Sequence, residues 1–459
     1  MGIVLSLAAL LVAFAGGLGV TLLLRAPDSR PDPFGVSGTA LIFGAGLVSL
    51  SSFCLGFLVQ GAALQWMVGC ICVALALGAL VKRGRTPRLS RLAVTLPQMT
   101  ALALASIPLA FATWLSLYRE GLDWDGLFNW ASKARIAFLY HGAIPLRYYR
   151  APDDFFHRTY PPLVPVFESW IYGFLGRIDE SMIKLIGPYF YLAAALLLIS
   201  AAYRESRRRW LGILVVLPFL LVPGLLKGDG SAASGYADFP LAAAYLCTVV
   251  YVVEFWRNRT LESARLAGVS AMLLPFIKAD GAVPLLCVAV AVVPLVIGER
   301  RWKAGAWIIL PGMAVALGWW AFWKLNGVPR PGDFAAITPA VFLSHLDRAK
   351  PLLSWTFEEL TTWGRWGLLW PLVAAALGGF FLYTRRSRWY PWFATVGLPL
   401  VLYPCAFFFS AWNPVEAHVK SSINRLVLQV APAAALLVGT ALAEFVENAG
   451  TSSSEHTGG

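Results

Sequence analysis

Two carboxylates separated by one aromatic residue, Asp123-Trp124-Asp125, open the longest polar stretch of a chain that is otherwise strongly apolar. Carboxylates at i and i+2 in a turn ahead of a helix can act as a general base or hold a divalent cation, being oxygen-rich and close to a helix N-terminus. The same side chains serve equally well to cap that helix, since Asp is among the preferred N-cap residues. Groups that could answer them recur farther along. Tyr236-Ala237-Asp238-Phe239-Pro240 opens an apolar run, Lys278-Ala279-Asp280-Gly281 interrupts another, and His418, Lys420 and Arg425 lead into the last. Cations so placed can bind phosphate, Arg bidentately and Lys as a point charge. Taken singly, each is more plainly a helix-end anchor or half of an ordinary ion pair.

The elements that must position these groups are membrane spans. Of 459 residues, 58% are hydrophobic and only 14% charged, against about 25% charged in soluble domains, and the mean hydropathy is +0.66. Thirteen apolar segments of spanning length lie near 2–24, 37–59, 62–81, 92–117, 184–203, 210–226, 237–256, 264–279, 281–298, 304–323, 366–384, 390–411 and 426–446. Lys278, Asp280 and Gly281 break what would otherwise be one long run into the eighth and ninth. Ala13-Phe14-Ala15 looks like a leader cleavage site. No positive n-region precedes it, however, and the first Arg is at 25, so 2–24 is read as a span. Cys54, Cys70, Cys72, Cys247, Cys287 and Cys405 all fall in apolar runs and read as small buried residues, not as a disulfide framework.

The net charge of +12 is a topology signal. Alternating loops put 20 Lys/Arg and 9 Asp/Glu on one side and 17 Lys/Arg and 16 Asp/Glu on the other. Basic short loops stay in the cytoplasm, so the N-terminus is expected outside and the C-terminus inside. The charge then gives no support to nucleic-acid binding. The expected external segments, about 118–183, 324–365 and 412–425, are long or chemically dense. Within the first, Leu127, Trp130, Ala131, Ala134, Ile136, Ala137 and Phe138 recur at roughly helical spacing around Lys133 and Arg135, which predicts a helix in the interface. The polar tail from 447 to 459 is expected to be disordered.

Order, side and spacing together carry a resemblance. Asp123-Trp124-Asp125, then Trp130-Ala131-Ser132-Lys133-Ala134, then His157 ahead of Tyr160-Pro161-Pro162-Leu163, then Tyr236, Asp238 and Pro240, and Arg425 before an apolar helix with Pro432, are similar to the bacterial GT-C glycosyltransferase superfamily. Nearest in layout are the protein mannosyltransferases and the aminoarabinose lipid A transferases. The similarity covers about 92–446, with 1–91 a three-helix addition. It departs in two ways: the acidic loop follows the fourth span instead of the first, and Asp153 and Asp154 lie upstream of Tyr160 where the family has an Asp immediately before it.

The resemblance implies a plasma-membrane enzyme that moves a sugar, with inversion, from a polyprenyl-phosphate donor to a glycan, lipid or protein acceptor on the external face. Asp123 or Asp125 would be the base. Lys278, Lys420 and Arg425 would answer the leaving phosphate, and Lys133, His157, Tyr160, Asp238, Asp280 and His418 would line the substrate side. The superfamily has metal-dependent and metal-independent members, so the resemblance leaves open a divalent cation, Mg or Mn, at Asp123 and Asp125. A transporter or flippase for a lipid-linked or polar substrate is the alternative, and an inactive assembly subunit a third. The lack of an evident internal repeat and the grouping of charges at outer ends favour an enzyme.

Overall fold

The computed structural model describes residues 1–26, 32–82, 95–118, 121–151, 157–205, 217–329, 331–383 and 386–455. Among them the chain is 82% helical with no strand, as a bilayer demands of a backbone that must satisfy its own hydrogen bonds. Asp153 and Asp154, and most of the basic clusters at 82–91 and 204–209, lie outside the described residues.

The principal helices are α1 Gly2–Leu24, α2 Pro33–Leu55, α3 Ala62–Lys82, α4 Leu96–Tyr118, α5 Ser132–Leu139, α6 Leu163–Leu175 and α7 Ile186–Glu205. They continue with α8 Asp238–Asn258, α9 Leu261–Ile277, α10 Ala282–Gly298, α11 Trp302–Leu325, α12 Ala349–Leu360, α13 Leu369–Tyr383, α14 Leu398–Ala406 and α15 Val415–Glu455. Ten helical stretches among the described residues are long and apolar enough to cross a membrane, one of them Trp389–Phe409, which contains α14. Three of the thirteen expected segments fall short of that measure. The helices α9 and α13 are 17 and 15 residues long, and the 210–226 segment is described only from 217, with a short helix at Pro223–Leu226.

One apolar core runs from Ala9 to Val438. Its middle is α8, buried almost all round and packed against α7, α9 and α15. The first three helices join the same core, with α1 against α2 and α3, and α2 against α6 and α7. Close approach of α1 and α2 depends on glycine: a Cβ on Gly17 would overlap the carbonyl oxygen of Ala40. Capping fixes helix starts where the sequence provides it. Asp32 accepts from the Gly35 amide at 2.9 Å ahead of Pro33, and Thr260 accepts from the Ser263 amide at 3.2 Å. The last helix continues to Glu455, into the tail expected to be disordered, and residues 456–459 lie outside the described residues. The cysteines are all free, and Cys54 and Cys70 are exposed instead of buried, since α3 and the end of α2 turn an apolar face outward.

Charged groups gather at the two ends of the bundle. At one end Arg25 pairs with Glu262, Arg204 with Glu254 and Arg259 with Glu299. The other end holds Asp238, Lys278 and Asp280, the Asp125–Arg425 pair, and His157 with Asp333. Parts of all three expected external segments meet there. Asp333 accepts from the Trp412 indole at 2.8 Å, and Phe334 pairs with Ser410 in an isolated bridge.

The helix contact at Gly17 yields a test. Gly17→Leu should lower the unfolding temperature in detergent by several degrees or abolish folding, whereas Gly78→Ala, with no atom within 4 Å of the added Cβ, should leave it unchanged or slightly raised.

Candidate functional site

The acidic turn does not use Asp125 as a cap. Residues Gly126–Ala131 form a π-helical turn with Asp125 at its start, and the Asp125 side chain makes no bond to the turn's backbone. Instead it pairs with Arg425 on α15 and accepts from Asn129 Nδ2 at 3.1 Å. The wide turn fits closely against a neighbouring loop: a Cβ on Gly126 would lie 2.9 Å from the Ser234 carbonyl oxygen. Arg425 also lies over the Tyr236 ring, 5.5 Å from its centroid, and the Asp125 amide donates to the Tyr236 hydroxyl at 3.3 Å. Room for the Arg425 stem comes from Gly230, whose φ of +82° is easy only for glycine and whose added Cβ would sit 3.1 Å from Arg425 Cγ.

A second charged cluster lies at the same end of the bundle, where α8, α9 and α15 meet. Asp238 is 1% exposed, and its Oδ1 accepts from Lys278 Nζ at 2.8 Å and from Gln429 Nε2 at 2.7 Å. Lys278 Nζ also lies 2.7 Å from Asp280 Oδ2, while Gln429 Oε1 accepts from the Tyr403 hydroxyl at 2.6 Å. Burial at low dielectric makes an unpaired charge costly, so the lysine, the two carboxylates and the amide form one interdependent network. Lys278 and Arg425 are therefore ion-pair partners and not snorkelling anchors.

The helix expected to lie in the interface packs against α6 instead. Trp130, Lys133, Ala134 and Ala137 fall on one helical stripe, and that stripe is buried. Lys133 lies beside the Trp130 and Tyr160 rings, its Nζ 5.4 Å from each centroid, and donates to the His157 carbonyl at 3.0 Å. Tyr160 stacks on both Trp130 (5.5 Å) and the His157 ring (4.8 Å). His157, at φ +40°, turns its Nδ1 to Asp333 at 3.5 Å. Burial pulls the His157 imidazole below its usual range against the opposing charge of Asp333. His418 is boxed by Phe334, Phe407 and Trp412 and bonds Ser410 Oγ at 2.8 Å.

The structure thus brings Asp125 to Arg425, Asp238 to Lys278 and Asp280, and Lys133, His157 and Tyr160 to one another. Lys420 stands apart: it points to solvent and pairs with Glu416 one turn back at 2.6 Å. Asp123 is half-buried and lines a crevice of about 440 Å³ with Lys227, Asp229 and Arg365. Four contributors were not singled out from the sequence. Asn129 lies at i+4 from Asp125, a spacing that could have found it. Gln429, an amide alone in an apolar span, carries the signal of any intramembrane polar residue. Asp333 and the Lys227–Arg365 crevice have no local signature.

The donor set does not fit a divalent cation, because Asp125 already accepts from Arg425 and Asn129. No group of three or more His, Cys, Asp or Glu suited to a metal occurs among the described residues. No protein-family model matches the sequence, and no curated protein does.

Burial, with the nearby Arg158 charge assisting and Asp125 opposing, brings the Lys133 ammonium down to about 7 from an ordinary 10.5. Between those values the unfolded chain binds a proton that the folded chain does not. The Lys133 contribution to stability is therefore lowest below pH 7 and rises with pH up to about 10.5. The unfolding temperature of the wild type should climb relative to Lys133→Met between pH 7 and 9. Parallel pH profiles would mean that Lys133 is solvated.

Proposed function

We propose that the protein is an integral-membrane glycosyltransferase of the GT-C kind, transferring a sugar with inversion from a polyprenyl-phosphate donor to a hydroxyl of a glycan, lipid or protein acceptor. The observation that carries this reading is the assembly of the acidic turn and the paired cations at one end of an apolar bundle, beside a crevice that Asp123 lines. In this reading α9, α13 and the 210–226 segment complete thirteen crossings, and that end faces outward, as the Lys and Arg distribution of the loops requires.

The two carboxylates then take different roles. Asp125 is engaged by Arg425 and Asn129, which makes it a positioning group for the cation. Asp123, bordering the crevice, takes the proton of the acceptor hydroxyl. As that oxygen bonds to the anomeric carbon, the bond from this carbon to the donor phosphate oxygen breaks, and the phosphate departs on its lipid carrying the electron pair. Positive groups near the departing oxygen stabilise the charge that develops.

Labelled lipid-linked sugar in proteoliposomes tests this. Wild-type protein should form covalent product, and Asp123→Asn should slow transfer by roughly 10²–10⁴-fold without lowering the unfolding temperature. Movement of the labelled lipid across the bilayer with no covalent product would replace the enzyme by a flippase.

A further inference from the structure

A cavity of about 360 Å³ lies where the end of α2, the first turn of α3, the turn after α5 and one side of α6 meet. That is the size of a small-molecule site. It shares no lining residue with the crevice beside Asp123. Ser52 and the Gly61–Gln65 stretch of its wall belong to the first 91 residues, outside the part of the chain that resembles a transferase.

Local structure shapes this space. Val166, Ser169, Trp170 and Gly173 fall at i, i+3, i+4 and i+7, so a single stripe of α6 forms one wall. The Trp170 ring is fixed there by its indole N–H, which donates to the Ala9 carbonyl at 3.0 Å. The Gly61 amide donates to the His141 carbonyl at 2.6 Å and ties the start of α3 to the turn after α5. In that turn His141 and Gly142 both have positive φ, +60° and +106°. Glycine lets the walls approach: an added Cβ would lie 2.6 Å from Leu64 Cδ2 at Gly142 and 2.7 Å from the Gln65 amide at Gly173.

Three features of the lining define what it can hold. It contains no Asp, Glu, Lys or Arg, so an ionised headgroup would lose its water with no charge to answer it. Ser52 and Ser169 are only 6% and 7% exposed, and their hydroxyls bond to nothing among the described residues. Buried hydroxyls with capacity left match a partner that both donates and accepts, as an alcohol does. The third feature is depth. The α3 helix is long and apolar enough to cross a membrane, which puts a cavity at its first turn level with the glycerol backbones of the lipids. Trp66 beside it is exposed, as a residue at that level commonly is, and Cys70, Val73 and Leu77 continue its stripe as an exposed apolar track along α3.

We propose that this cavity binds an uncharged, hydroxyl-bearing lipid, a diacylglycerol, by its glycerol head. The free hydroxyl of the lipid exchanges hydrogen bonds with Ser52 and Ser169, Phe138 and Trp170 enclose the glycerol, and the acyl chains run out over the Trp66–Leu77 track. Binding there does not depend on sugar transfer.

A diacylglycerol carrying a diazirine in one acyl chain tests this by photolabelling the full-length protein in phosphatidylcholine nanodiscs. Label should concentrate in residues 52–77 and 138–173. Unlabelled dioctanoylglycerol should compete at least about ten-fold better than dioctanoyl phosphatidic acid, which adds charge, or than the same glyceride acetylated at its hydroxyl. Ser52→Ala combined with Ser169→Ala should weaken labelling by about ten-fold, as the loss of two neutral hydrogen bonds implies. Ala62→Trp, which places a ring at the cavity from an exposed position, should abolish it. Label spread evenly over the lipid-facing helices would overturn the proposal, as would equal competition by the phosphatidic acid or the acetylated glyceride. Wild-type labelling of the double alanine variant, folded to the wild-type unfolding temperature, would overturn it as well.

Discussion

The pairing of Asp125 with Arg425 joins positions 300 residues apart, and the arrangement of this end of the molecule depends on it. A guanidinium carried into an apolar bundle by α15 has to meet a carboxylate, because an unpaired charge at low dielectric is prohibitively costly. Meeting that need fixes the π-helical turn against α15, brings Tyr236 under the arginine and requires glycine at 230. The Asp238–Lys278–Asp280–Gln429 cluster imposes the same rule on α8, α9 and α15. Three helices and the first large loop are thereby held in one register by electrostatics, with apolar packing supplying the bulk of the cohesion.

Charge neutralisation also divides the labour within the site. Cations already matched to carboxylates keep the scaffold together and are poor receivers of a new anion. Lys227, exposed and in no ion pair among the described residues, keeps its bonding capacity. Of the two carboxylates of the acidic turn, Asp125 pairs with Arg425 and Asp123 borders the crevice.

Much of the architecture was legible in the sequence because spanning helices announce themselves by length and apolarity. Where the reading faltered, the cause is tertiary. The α9 helix stops at 17 residues because Lys278 must turn inward to Asp238, which the local run does not reveal. Lys133 looked like the polar face of an interfacial helix, yet its stripe of Trp130, Ala134 and Ala137 packs inward and two aromatic rings receive the ammonium. Lys278 and Arg425 were recognised as charged helix ends, but only the fold shows which carboxylates hold them. Gln429 has no charge to draw attention, and its importance comes from Asp238 and Tyr403, two partners on other helices. The crevice is composed of turns near 224–230 and 363–366 that are remote in sequence.

A double-mutant cycle on Asp125→Asn and Arg425→Gln, read as unfolding free energy in detergent at neutral pH, probes the pairing most directly. Each single change should destabilise the fold by leaving a buried charge without its partner, and the double variant should recover part of the loss, giving a coupling of about 1–3 kcal/mol. Strictly additive effects would show that the two side chains do not meet and would contradict the account.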